Sequence, residues 1–187
     1  MNVYDFDKTI YDGDSTVDFY KFCVRRNPRL LRYIFRQGTG LVLYVLGIYD
    51  KTKFKEQFYS FLQGIDDAET YLKNFWDLHI TGIKPWYTEQ MRTDDVIISA
   101  SPEFLVREAM QRLGSATVIA SIVDISTGRY TGVNCHGQEK VNRFYEIYPD
   151  AVIEAFYSDS DSDAPLGKIA RECYKVKGEK TCSVNWQ

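Results

Sequence analysis

No stretch of this sequence is apolar for long enough to cross a bilayer. The longest run, Leu41 to Tyr49, falls well short of the roughly 18 residues a span needs. Cysteine is scarce: Cys23, Cys135, Cys173 and Cys182 form no Cys-x-x-Cys pair, and their spacing fits neither a zinc site nor a disulfide framework. They read as buried or unreactive thiols of a reducing compartment. No leader is legible, because Met1 runs almost directly into acidic residues, so a cytoplasmic location is expected. A strong charge of one sign is also lacking. The net charge of −3 argues against a nucleic-acid partner. There is no internal repeat or low-complexity tract. The two histidines, His79 and His136, belong to no motif and read as surface or packing residues.

What the chain does have is apolar bulk. Its 187 residues are 44% hydrophobic and 15% aromatic, enough to bury the core of one domain, with room for a sizeable insert. Val3 to Phe6 reads as a strand. From about Ser15 to Met91 the apolar residues recur at helical spacing. Ser15 or Thr16 serves as the expected cap of the first helix, carried by Val17, Tyr20 and Val24. Gly38-Thr39-Gly40 is expected to break the pattern. Phe54, Phe58, Phe61 and Leu62 mark one later helix, and Tyr71, Phe75 and Leu78 another. Then the period changes. Val96 to Ile98, Thr117 to Ala120 and Ala151 to Tyr157 read as strands. Helices are expected after Pro102, over Lys140 to Tyr148 and over Pro165 to Glu172. Gly128 to Gly132 suggests a bend, and Tyr174 to Val176 with Cys182 to Val184 short terminal strands. Strands alternating with helices imply an α/β sheet.

In such a sheet, ligands bind beyond the carboxyl ends of the strands, and there the polar residues gather. The first strand delivers Asp5-Phe6-Asp7-Lys8-Thr9. In a strand, residues i and i+2 share a face, so Asp5 and Asp7 are expected close together, where repulsion calls for a cation or a shared proton. Mg2+ answers that need with hard oxygen ligands. Val96 to Ile98 delivers Ser99-Ala100-Ser101. Ala151 to Tyr157 delivers Ser158 to Asp163, and Lys140 adds a cation. Singly, each has a plain alternative: an acidic turn, a helix cap, a solvated lysine, a soluble loop. Together they suit phosphoryl transfer, which relies on positioning and charge stabilisation.

The motifs Asp5-Phe6-Asp7-Lys8-Thr9, Ser99-Ala100-Ser101-Pro102-Glu103, Lys140, and Tyr157-Ser158-Asp159 with Asp163 stand in the order of the haloacid dehalogenase superfamily. The chain resembles its phosphoserine phosphatase branch over nearly its whole length. That resemblance implies a Rossmann-like three-layer core around a parallel sheet (residues 1–14 and 92–187), with a helical C1-type cap (15–91) inserted after the first motif. It implies Asp5 as nucleophile and Asp7 as general acid and base. Asp5, Asp7 through its backbone carbonyl, and Asp159 would bind Mg2+. Ser99, Ala100 and Lys140 would hold the phosphoryl group, with Asp163 and Thr9 in support. The substrate would be a small-molecule or lipid-headgroup phosphomonoester; an authentic phosphoserine phosphatase, an inert phosphometabolite-binding module and a phosphotransferase are the alternatives.

Asp14 matches the position where phosphoserine phosphatases hold the substrate amino group. The stretch Phe54-Lys55-Glu56-Gln57-Phe58 has no arginine to hold a carboxylate, which argues against phosphoserine as the best substrate. Arg25, Arg26, Arg29, Arg32 and Arg36 precede the apolar run from Leu41. This is similar to inserts of family members acting on lipid phosphates, but an ordinary cap helix with a solvated basic face is the favoured reading over peripheral membrane contact.

Overall fold

The computed structural model describes residues 1–114 and 117–186. Six strands form one sheet in the order β3-β2-β1-β4-β5-β6: β1 (Val3–Tyr4), β2 (Val96–Pro102), β3 (Thr117–Ser121), β4 (Ile153–Ser158), β5 (Ala170–Lys177) and β6 (Lys180–Ser183). The first five are parallel, and β6 runs antiparallel to β5. The two-residue period of a strand sorts the apolar side chains onto two faces. Val3, Val96, Ile98 and Ile119 join one core cluster with Val141 and Phe144 of α7 (Gln138–Ile147). Tyr4, Ile97, Val118 and Ala120 join the other, with Leu105, Val106 and Ala109 of α6 (Glu103–Arg112).

The second cluster continues into the insert between β1 and β2. That insert holds α1 (Ser15–Arg26), a 3-10 turn (Pro28–Tyr33), α2 (Ile34–Val45), α3 (Lys51–Tyr59), a second 3-10 turn (Ser60–Gly64), α4 (Ala68–His79) and α5 (Pro85–Gln90). Phe19 and Phe22 of α1, and Leu72, Phe75 and Trp76 of α4, are buried in the same cluster as the sheet's Tyr4 and Ile97. Trp76 also donates its indole N–H to the Leu105 carbonyl at 2.9 Å.

Several sequence expectations need correction. Strand β1 ends at Tyr4 rather than Phe6. Lys8 takes a left-handed backbone (φ 59°), and the Phe6 carbonyl accepts from Ile10 and Tyr11, so the chain has already turned. The cap of α1 is neither Ser15 nor Thr16 but Asp14, whose carboxylate accepts from the Val17 N–H at 3.0 Å. The glycines do not break α2, which runs through Gly38 and Gly40. Gly40 is needed there because a Cβ would stand 2.5 Å from the Gln57 Cβ on α3. In α4 the buried face is Leu72, Phe75 and Trp76, while Leu78 is exposed. The helix expected over Pro165 to Glu172 is only one turn, α8 (Ala164–Gly167). From Ala170 the chain pairs with β4 from Ile153 onward, and the sheet overrides the local preference. All four cysteines are free; Cys182 is exposed rather than buried.

Candidate active site

Strand β1 lies between β2 and β4, the point where the strand order reverses and a crevice opens at the carboxyl ends. Asp5 is the first residue past β1 and still donates its backbone N–H to the Tyr157 carbonyl at 2.9 Å. Its carboxylate is therefore fixed relative to β4. One oxygen accepts from Lys140 Nζ at 2.7 Å, the other from the Thr9 hydroxyl at 3.3 Å. The same Thr9 oxygen accepts the backbone N–H of Asp159 at 3.0 Å, tying the loop after β4 to the loop after β1. Lys140 also donates to Asp163 at 2.8 Å, and Asp163 accepts from Ser158 at 2.7 Å. Asp5, Thr9, Ser158, Lys140 and Asp163 are all buried.

Because β1 ends early, Asp5 and Asp7 do not share a strand face; both sit on the loop that follows it. Asp7 accepts the Ser15 N–H at 2.6 Å and the Ser101 hydroxyl in a short bond. The start of α1 and the end of β2 thus aim it. Ser99 is buried, and its Oγ accepts the Ser101 N–H at 3.1 Å.

The electrostatics follow from burial. Loss of water pushes the Asp5 carboxyl up, and Lys140 pulls it back. Burial penalises the Lys140 charge, but Asp5 and Asp163 outweigh that and hold it above the usual lysine range. Asp7 is raised by burial and by Asp14, against its serine donors. Asp159 is raised by burial, with Lys8 opposing. One lysine is thus bonded to two carboxylates while Asp7 and Asp159 lie close by, which leaves negative charge for a further cation. Among the described residues no three His, Cys, Asp or Glu side chains converge as a metal cluster. An ion here would need backbone oxygen and water besides Asp5 and Asp159. That donor set fits Mg2+, which takes few carboxylates and retains water.

A cavity of about 370 Å3 opens above Asp7. It is lined by Asp7, Ala100 and Ser101 from the strand ends, Asp14 at the cap of α1 and Thr16 within it, and Lys51, Phe54, Lys55 and Phe58 from α3. Three of these went unrecognised in the sequence. Ser101 bonds Asp7, although Ser99 was the residue expected to act. Lys55 reaches the Ala100 carbonyl at 2.8 Å and Asn134 Oδ1 at 3.0 Å. Lys51 stands one turn before it on the same helix. Burial, with Lys51 adding to it, pushes the Lys55 ammonium down to about 8. The readable signals were the i, i+2 spacing of Ser99 and Ser101 and the i, i+4 spacing of Lys51 and Lys55. Asp161 lies outside the site, paired on the surface with Lys175 and Trp186. None of Arg25, Arg26, Arg29, Arg32 and Arg36 lines the cavity.

Comparison with solved structures finds the same architecture. A protein of unknown function from Bordetella pertussis Tohama I superposes with a TM-score of 0.76 at 19% identity, over 92% of this chain and 87% of that one. A phosphoserine phosphohydrolase-like protein from Francisella tularensis subsp. tularensis SCHU S4 gives 0.56 at 14% identity, over 92% and 86%. A HAD family hydrolase from Salmonella enterica subsp. enterica serovar Typhi gives 0.56 at 12%, over 90% and 59%. These are likenesses of fold. No curated protein sequence matches the chain. The profile of the haloacid dehalogenase-like hydrolases, however, matches residues 3–168, from β1 through α8, and the chain belongs to that family.

Proposed function

We propose that this hydrolase is a Mg2+-dependent phosphomonoesterase that works through an aspartyl phosphate on Asp5. The observation that carries this reading is the Asp5 carboxylate held against the Lys140 ammonium at 2.7 Å, with Asp7 aimed into the adjoining cavity by Ser101 and Ser15. Asp5 attacks phosphorus; an Asp5 O–P bond forms and the bond to the leaving oxygen breaks. Asp7, kept protonated more readily by its burial, gives its proton to the leaving alkoxide. Asp7, now ionised, takes a proton from water as that water attacks the phosphorus. The Asp5 O–P bond breaks, releasing inorganic phosphate and restoring both carboxyl groups. Lys140, the Ser99 hydroxyl and the Ala100 N–H hold the phosphoryl oxygens, and Asp163 fixes Lys140. Asp5, the Asp7 carbonyl and Asp159 are the residues to bind Mg2+, which supplies positive charge to offset that of the phosphoryl group.

The cavity wall bears on the substrate. Among the described residues Lys55 is bonded only to neutral oxygens, and Lys51 stands beside it, so this wall of the cavity suits a leaving group that is itself anionic. Asp14 on the same wall supports a second reading, a zwitterionic leaving group such as that of phosphoserine. Phe54 and Phe58 favour a partly apolar leaving group instead. A hydrolysis screen over phosphomonoesters, run with Mg2+ and with chelator, tests the reading. Mg2+-dependent release of phosphate from at least one of them is expected; full activity in excess chelator overturns it.

A further inference from the structure

Helix α2 has its apolar side facing outward. Its packed side carries Gln37, Gly40 and Tyr44. Gln37 donates to the Phe58 carbonyl at 2.9 Å, Gly40 abuts Gln57, and the Tyr44 ring stacks on Phe54 at 5.1 Å. Helical spacing puts residues 34, 35, 38, 41, 42 and 45 on the other side. Ile34, Phe35, Leu41, Val42 and Val45 there are all exposed, Phe35 by 82% and Val45 by 75%. Leu31 before them and Leu46 and Ile48 after them extend the ridge and are exposed too. Scattered exposed apolar residues are ordinary; a contiguous ridge marks a surface meant to be covered.

The charge around the ridge says what covers it. Residues 25 to 53 hold seven bases and one acid, in a chain whose net charge is −3. Arg25, Arg26, Arg29 and Arg32 precede the ridge, Arg36 lies on α2 itself, and Lys51 and Lys53 follow. Among the described residues none of the seven forms an ion pair. The single acid, Asp50, is turned to the start of α3, where it accepts the Lys53 N–H at 2.7 Å. A second copy of the chain is a poor occupant, because a two-fold contact would set these unpaired bases against themselves. A surface of fixed negative charge over an apolar interior satisfies both the ridge and its flanks. No helix among the described residues is long and apolar enough to cross a membrane, so the contact is one of lying on the surface.

We propose that α2 docks the protein on an anionic phospholipid bilayer. The ridge from Leu31 to Ile48 enters the boundary between headgroups and acyl chains, and Arg25, Arg26, Arg29, Arg32 and Lys53 beside it meet lipid phosphates. This holds whatever reaction the strand-end site performs. It also gives α3 a position between two tasks: one side packs on α2, and the other lines the cavity with Lys51, Lys55 and Phe58.

Cosedimentation of the full chain with vesicles tests the proposal without any assay of activity. Vesicles of phosphatidylcholine with added phosphatidylglycerol are expected to carry the protein down, and vesicles of phosphatidylcholine alone to do so at least about tenfold more weakly. Added salt should weaken the anionic binding. The triple variant Phe35→Ser, Val42→Ser, Val45→Ser should lose about tenfold or more in vesicle affinity. Its melting temperature should be unchanged, because these side chains are exposed. Replacing Arg29 and Arg32 by Gln should weaken binding to anionic vesicles and leave the residual binding to neutral ones alone. Wild-type protein that stays in the supernatant with anionic vesicles overturns the proposal, as does a triple variant that binds like wild type. A concentration-dependent dimer in sedimentation velocity, abolished by the same triple change, would assign the ridge to a second copy and overturn it as well.

Discussion

Two lysines define the difference between the strand-end site and the helical insert. Lys140 is buried between two carboxylates, and its charge is held above the ordinary range. Lys55 is held by a carbonyl and an amide oxygen, and its charge is weakened to a pKa of about 8. The first cation is bonded to two carboxylates of the protein and holds them together. The second has only neutral oxygens as hydrogen-bond partners among the described residues and stands on the cavity wall. The contrast extends outward: at the strand ends Lys140 is bonded to both Asp5 and Asp163, whereas the insert's bases from Arg25 to Lys53 have no carboxylate partners among the described residues.

The most severe way to break the first half of this comparison is Asp5→Asn. An amide cannot attack phosphorus, so kcat should fall by at least roughly 10^4-fold, while the melting temperature holds or rises because a buried negative charge is gone. Steady-state turnover alongside a thermal melt reads both. Next comes Lys140→Met. It leaves Asp5 and Asp163 buried without their cation, and a loss of about 3–5 kcal/mol in urea unfolding at neutral pH is expected. In the wild type Lys140 itself keeps its charge across ordinary pH. The folded-state value of Lys140 lies above that of the unfolded chain, so its stabilisation is complete below the unfolded value and is lost only in strong alkali.

Lys55→Met tests the second half. If Lys55 receives an anionic leaving group, kcat/KM for such a substrate should drop by about 10- to 100-fold with kcat less affected. The wild-type profile should fall above about pH 8, where Lys55 loses its proton, and the variant should lack that limb. The sign for stability is opposite to that of Lys140. Between about pH 8 and the unfolded lysine value the unfolded chain binds the extra proton, so stability rises with pH in that window. The variant should lose this rise and be the more stable protein at pH 7. Stability of Lys55→Met below wild type at pH 7 would remove the distinction between the two lysines.

The smallest expected effects separate the two sides of α2. Gly40→Ala pushes a Cβ into Gln57 and should cost about 1–3 kcal/mol, offset in part by the better helix propensity of alanine. Val45→Ser on the exposed ridge should stay within about 0.5 kcal/mol. Denaturant titration of both variants measures the asymmetry.

Much of the fold was legible because periodicity survives in a single chain. The change from helical spacing to short β-branched runs near residue 96 located β2, and the polar strand ends pointed to the candidate site. The failures are equally specific. The segment 165–172 has helical residues but becomes β5 at Ala170, because β4 offers an unpaired edge that no local pattern records. Gly38 and Gly40 look like a break, yet the approach of α3 makes Gly40 necessary inside a helix. Lys55 belongs to no recognisable motif, and its place on the cavity wall shows only once α3 is laid against Ala100 and Asn134.

By itself, then, the sequence determined the order of the motifs, the alternation of strands and helices, and the chemical character of Asp5, Asp7, Lys140 and Asp159. Those are properties of residue type and local spacing. The tertiary structure alone decided which charges are paired, which serine bonds Asp7, and that the apolar side of α2 faces outward. Each depends on contacts between segments far apart in the chain, where burial and distance set the strength of a charge and no local period carries that information.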